Sequence, residues 1–483
     1  MSERRDAVVR RLVNRVVVPG LCEATVPDWL AREVEAGLAA VCWFGGMGLD
    51  ELKRRFPDVL VLSDEEGGNV TRLEAARGSS FPGNAALGVL DDVTVTQRVG
   101  AAIGAMSRVA GINVVLAPVV DVNSEPENPV IGVRSFGDDP GLVARHGVAF
   151  VHGVQSAGVA ACAKHFPGHG ATRTDSHLGL PVVDADRDTF LQRDVAPFAA
   201  AVAGGVRCVL TAHVAVPAVD AGPATMSASW MSYLRGDLGF DGVVVSDALD
   251  MRAISRGVGR GAGAVNALNA GVDQICIGNP CFPEPYAGET VFAAVCDAIT
   301  AAVDAGSLEV ARLEQAAERI DELDAWLAAA GNSTEPVGHE DLALGLDAAR
   351  RTVRAVGEVT LHAAPCVVVE QRTEIAAGRL SSPVVAALVA RAPATVSVAV
   401  RSASAVADIP ELASARPLVV VTDGLAGDAV VRTVRGSRPD AVVVNVGPQR
   451  MGTTLFDPPV VFALGNGAAN AETVADLLLG PRS

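Results

Sequence analysis

Three short stretches of this sequence hold side chains able to move protons, attack an electrophile or grip hydroxyl groups. The first is Lys164-His165-Phe166-Pro167-Gly168-His169-Gly170, followed closely by Thr174-Asp175-Ser176-His177. An aspartate two residues before a histidine can accept a hydrogen bond from the ring, fix its tautomer and raise the pKa of the imidazolium. His177 would then act as a proton donor and later as an acceptor. The same residues also read as a polar turn with a solvated histidine. The second stretch is Val243-Val244-Val245-Ser246-Asp247, an apolar run ending in an acid. Asp247 suits a nucleophile or a metal ligand at a strand tip. Equally, Ser246 and Asp247 precede a helical segment and read as its N-cap. Asp250 reads as a first-turn helix acid. The third stretch is Ser63-Asp64-Glu65-Glu66-Gly67-Gly68-Asn69-Val70-Thr71-Arg72. Here Asp64 could accept two hydroxyl groups and Arg72 could donate through its fork, or the two could pair across the loop. Arg134, in Gly132-Val133-Arg134-Ser135-Phe136-Gly137, offers the same choice between ligand arm and structural ion pair.

These residues need a scaffold that brings distant chain positions together. Eight β-rich runs precede residue 280: Val16–Val18, Ala40–Phe44, Val59–Ser63, Val114–Ala117, Ala160–Lys164, Val209–Ala212, Val243–Ser246 and Gln274–Ile277. Each is bounded by Gly, Pro, Asp or Ser, with room for a crossover helix before the next. Continuous apolar runs suit parallel strands buried on both faces. The pattern predicts an α/β chain opening with a (β/α)8 TIM-type barrel; a doubly wound sheet is the competing arrangement. In a barrel, Asp64, Asp121, Lys164, His165, His213 and Asp247 would converge, because strand C-terminal ends share one face. An amphipathic helix pattern over 310–330 closes this block, and Gly331–His339 reads as a connection. New β-runs at Cys366–Val369, Val396–Val400, Leu418–Thr422, Ala441–Val446 and Val460–Leu464 predict a smaller C-terminal α/β domain with a mainly parallel sheet. The expected division is a barrel over 1–335, a linker over 336–350 and the second domain over 351–483.

Composition narrows the partners. A net charge of −17 argues against nucleic acid or an anionic membrane, since both would be repelled. The eight cysteines are scattered and form no CxxC pair, so they read as reduced and structural, with neither a zinc ribbon nor a disulfide framework expected. The arginine-interrupted start lacks the apolar core of a signal peptide, and apolar stretches such as 195–206 and 208–219 are too short to span a bilayer. The expected compartment is the cytoplasm. Of 39 basic residues only Lys53 and Lys164 are lysines, and Lys164 lies within the first reactive stretch.

Taken together, DEEGGNVTR, APVVDV, RSFG, KHFPGHG, TDSHLGLP and VVVSDALDM, in that order over residues 64–251, resemble glycoside hydrolase family 3. Within it they are similar to the β-N-acetylhexosaminidase subgroup that carries a His–Asp dyad. The resemblance implies that Asp247 is the nucleophile of a covalent glycosyl-enzyme, with His177 as acid/base and Asp175 as its orienting partner. It implies that Asp64, Arg72, Arg134, Lys164 and His165 bind the sugar at position −1, with no cofactor or metal. An imidazole would thus stand in for the acid/base carboxylate of the usual retaining pair. The dyad favours N-acetylglucosamine over glucose, because the family's β-glucosidases usually take their acid/base from elsewhere. Two positions depart from relatives: Ala171 where an Asp often follows GHG, and Ala248 where a second acid often follows the nucleophile.

Five other readings compete. A metal-dependent barrel hydrolase would use His165, His169, His177, Asp175 and Asp247, although Pro167 and Gly168 break any helical HxxxH geometry. Nucleotide binding at the glycines around 257–261 and 465–467 lacks the strand–GxGxxG–helix context. A non-enzymatic sugar-binding protein would share the fold without turnover. Finally, phosphate could replace water as acceptor, since a histidine dyad repels it less than a carboxylate would, and the acetamido group could assist catalysis itself. Muropeptides from peptidoglycan and chitooligosaccharides are the expected carbohydrate substrates.

Overall fold

The computed structural model describes residues 2–176, 179–330, 337–371, 382–424, 429–448 and 456–481. Their contacts divide into two units. The first comprises residues 1–65, 96–128 and 138–337. The second comprises 66–95, 129–137 and 338–483. Two excursions between barrel strands, which the sequence placed within 1–335, therefore cluster with the C-terminal residues.

In the first unit the strands are β1 (Val17–Val18), β2 (Gly20–Leu21), β3 (Ala40–Trp43), β4 (Leu60–Ser63), β5 (Val114–Val115), β6 (Ala160–Phe166), β7 (Cys208–Thr211), a hairpin of β8 (Ala215–Val216) and β9 (Asp220–Pro223), β10 (Val243–Val245) and β11 (Ile275–Cys276). The parallel order runs β2-β3-β4-β5-β6-β7-β10. Gln274 bridges to Val245, and β11 pairs with β1, so the circle closes on the strand that Pro19 divides into β1 and β2. All eight predicted runs are the barrel strands.

Alternate residues of each strand face inward. Ala40 and Cys42, Leu60 and Leu62, Val114 and Leu116, Ala160 and Cys162, Cys208 and Leu210, and Val243 and Val245 fill the interior together with Cys276. The helix Val310–Ala329 adds Ile320 and Leu323 to the same cluster, so it plugs the barrel it follows. Helix Pro140–Ser156 starts where its composition dictates: Asp139 accepts the Leu142 N–H at 2.6 Å, and Pro140 needs no donor in the first turn.

The thiol expectation fails at one point. Cys22, just after β2, is joined to Cys281, in the loop after β11, with Cα atoms 6.3 Å apart. The partners are 259 residues apart and meet only because the barrel closes, which no local spacing reveals. The other six cysteines are free and buried. Titration after denaturation without reductant is expected to find six thiols; eight would show the pair reduced.

Lys53, the other lysine, has a structural setting: its half-buried ammonium donates to the Pro57 carbonyl at 2.7 Å and the Val59 carbonyl at 2.9 Å, just before β4. Burial pushes its pKa down.

In the second unit the strands are β12 (Arg354–Val356), β13 (Cys366–Glu370), β14 (Val396–Val400), β15 (Leu418–Thr422), β16 (Val442–Asn445) and β17 (Val460–Phe462). Their order is β12-β17-β16-β15-β13-β14, parallel except for the antiparallel β12. One face packs on helices Pro383–Arg391 and Ala468–Leu479, the other on Ala429–Ser437. The five predicted runs are all strands. β12 went unpredicted because it is exposed along its length and carries no apolar pattern. The stretch 336–350, read as a linker, holds most of the helix His339–Thr352, which buries Gly345, Ala348, Ala349 and Thr352. No described helix is long and apolar enough to cross a membrane.

Candidate active site

Strand ends of the first unit carry the polar residues. Ser63 ends β4 and Asp64 follows it; Lys164 and His165 lie on β6. The Lys164 ammonium donates to Asp64 Oδ1 at 2.7 Å. The lysine side chain is 3% exposed and the aspartate 20%, so this is a near-buried ion pair whose carboxylate still meets solvent. His165 Nδ1 lies 2.7 Å from Asp121 Oδ2, and its backbone N–H points at the same carboxylate. Asp121 also accepts the His169 N–H at 2.7 Å. Burial pushes the Asp121 carboxyl up, but the His165 ring beside it and the hydrogen bonds from His165 and His169 hold it below the usual range. The sequence marked Asp121 only as a polar strand end; its partners lie 44 and 48 residues away.

The glycines of KHFPGHG permit this turn. Gly168 has φ +137°, and a Cβ there would meet the Asp194 Cβ at 2.8 Å. A Cβ on Gly170 would lie 1.9 Å from the Val122 carbonyl oxygen. Only glycine lets the loop pass this close. Burial pushes the His169 ring down to about 4, so it is neutral near pH 7.

Asp247 follows β10 and is half-buried. The Ala248 N–H donates to Asp247 Oδ1 at 2.8 Å. His213 Nε2 donates to the Ala248 carbonyl at 3.0 Å, which fixes the peptide beside the carboxylate. Ala248 thus acts through its backbone. Asp247 is not a helix N-cap; the helix Arg252–Ser255 starts later. Asp250 precedes that helix rather than opening it, and its Oδ2 accepts the Asn279 N–H at 2.8 Å.

Asp175 is buried and its carbonyl accepts the Gly179 N–H at 3.2 Å. His177 lies outside the described residues. Of the imagined metal ligands, His165 bonds Asp121 through Nδ1, and both ring nitrogens of His169 are taken, by Thr172 and Ser176.

The two arginines belong to the second unit. Arg134 grips Glu66 with both arms of its fork, Nε to Oε2 at 3.0 Å and Nη2 to Oε1 at 2.8 Å. Its Nη1 donates to the Val130 carbonyl at 3.2 Å. An ion pair with Glu66 is thus present at Arg134. Glu66, quoted in the motif without a role, is its buried partner. Arg72 follows the buried Val70 and Thr71 in the same unit.

A parallel barrel with acids and bases at its strand ends has the architecture of a TIM-type enzyme. The profile for "Glycosyl hydrolase family 3 N terminal domain" matches residues 49–323. Beta-hexosaminidase A of Pseudoalteromonas piscicida is 43% identical over 233 residues, 44% of this chain and 39% of that protein. The chain thus spans well under half the length of that relative. Beta-hexosaminidase of Xylella fastidiosa (strain M23) is 39% identical over 241 residues, 48% of this chain and 70% of the relative. The solved glycoside hydrolase family 3 beta-N-acetylglucosaminidase from Paenibacillus sp. str. FPU-7 superposes over 98% of this chain and 97% of its own, with TM-score 0.84 and 31% identity. The chain belongs to glycoside hydrolase family 3.

Proposed function

We propose that the protein is a retaining, exo-acting β-N-acetylglucosaminidase that removes terminal β-linked N-acetylglucosamine from muropeptides or chitooligosaccharides. The observation that carries this reading is the set of strand-end residues held within one barrel: Asp64 on Lys164, His165 on Asp121, and Asp247 on the Ala248 peptide. Relatives named beta-hexosaminidase and beta-N-acetylglucosaminidase support the sugar.

In this reading His177, oriented by Asp175, protonates the glycosidic oxygen while Asp247 attacks the anomeric carbon. The leaving group departs with that proton, and the sugar remains bound covalently to Asp247. His177 then takes a proton from water, which displaces the carboxylate and releases the free sugar. Asp64 accepts hydrogen bonds from hydroxyls of the sugar at −1 while the Lys164 ammonium both holds Asp64 and donates to the same sugar, and His165 adds a third contact. Arg72 and Arg134 are assigned to sugar binding by resemblance.

Turnover of muropeptide compared with chitobiose, with inorganic phosphate present, tests the reading. Free N-acetylglucosamine is the expected product; the sugar 1-phosphate would make the enzyme a phosphorylase, and no turnover would leave a binding protein. Cytoplasmic residence requires Cys22 and Cys281 to stay reduced, because cytosolic thiols are kept so. The thiol count, made on protein alkylated inside intact cells, therefore also reads the compartment.

A further inference from the structure

The segment that carries Asp175 is anchored at Ser176, the residue that follows it. Ser176 is buried, and its hydroxyl lies 3.2 Å from His169 Nε2. Its carbonyl accepts the Ala253 N–H at 3.3 Å, from the helix that follows the Asp247 loop. One residue thus ties the segment to the end of β6 on one side and to the chain after β10 on the other.

The ring of His169 is itself fixed. Its Nδ1 lies 2.8 Å from Thr172 Oγ1, and that hydroxyl donates to the His169 carbonyl at 3.0 Å. Asn128 Nδ2 donates to the same carbonyl at 2.8 Å. With the threonine proton spent on the carbonyl, Oγ1 accepts from Nδ1–H. Nε2 is then a lone pair, and it accepts the Ser176 hydroxyl proton. His169, Thr172, Asn128 and Ser176 are all buried, so water offers no substitute partner for either ring nitrogen. The neutral ring, held so by burial, is the state this pattern needs.

We infer that His169 is a positioning residue: through Ser176 it sets the Asp175–His177 segment against the Asp247 loop. The inference rests on the dyad reading above. It assigns a role to the second histidine of KHFPGHG, which touches no reacting atom itself. A dyad displaced by even an ångström loses alignment for proton transfer while the sugar-binding residues stay in place. The loss therefore falls on kcat and spares KM.

The test compares chitobiose, whose leaving group needs a proton, with 2,4-dinitrophenyl β-N-acetylglucosaminide, whose leaving group does not. Azide is added so that the second step needs no base. Ser176→Ala, and His169→Asn, which keeps a donor toward Thr172 and loses the Ser176 bond, should each lower kcat on chitobiose about 30-fold with KM within about twofold. Both should act within about threefold of wild type on the dinitrophenyl substrate. His169→Gln, which restores an acceptor at the Nε2 position, should recover most of the loss. The double variant should be no worse than either single one, because both cut one interaction. If His177→Ala abolishes chitobiose turnover while Ser176→Ala leaves it intact, the positioning role is wrong. If His177→Ala itself leaves turnover intact, the dyad reading falls, and this inference with it. Should His169 variants fail to fold, Ser176→Ala, which removes one oxygen atom, decides alone.

Discussion

Asp247→Ala is expected to cut kcat on an aryl β-N-acetylglucosaminide by about four orders of magnitude, with KM changed far less. Such a loss follows if the carboxylate is the nucleophile, because the glycosyl-enzyme then forms on it and alanine offers no attacking group. The substitution removes the acceptor of the Ala248 N–H, while the His213 ring still holds the Ala248 carbonyl beside it. Azide should restore turnover of the Ala variant and yield a glycosyl azide of inverted configuration, a product a merely structural role would never give. Retention of more than about a tenth of the activity would remove Asp247 from the mechanism.

How far such residues could be read from sequence depends on the distance over which they act. Buried parallel strands declare themselves as apolar runs, so Leu60–Ser63 and Val243–Val245 were legible, and so were the acids at their tips. What binds those acids was not. Asp121 meets His165 and His169 only after β5 and β6 pair in register, and Glu66 meets Arg134 across 68 residues. The same holds for the Cys22–Cys281 link. A short exposed strand such as β12 and the β8–β9 hairpin are too brief for any hydrophobic period to show. Sequence therefore marks the polar strand ends well and their partners poorly.

The second large effect concerns Lys164. Lys164→Arg is expected to lower kcat/KM by about two orders of magnitude while leaving the fold cooperative. Its ammonium sits 2.7 Å from Asp64 and is almost fully enclosed. A planar guanidinium is wider and prefers a forked partner, so it must shift either itself or the carboxylate. A displacement near an ångström suffices for the loss named. Lys53→Arg is the internal control: its ammonium caps carbonyls before β4 and stands apart from the strand tips. That variant should lower the midpoint of thermal unfolding and leave kcat/KM unchanged. Parallel losses in both variants would mean that lysine usage reflects composition rather than position.

The Cys22–Cys281 bond has a topological consequence. Asp64, Asp121, Lys164, His165, Asp175 and Asp247 all lie between the two cysteines. When oxidised, the chain that carries them is a covalent ring of some 260 residues with two tails. Closing so long a ring restricts the unfolded chain by roughly 5 kcal/mol in the chain-entropy account. A single peptide cut in any loop between the cysteines then opens the ring without dividing the molecule. The nicked protein stays one body, and its barrel can close again around the same strand ends.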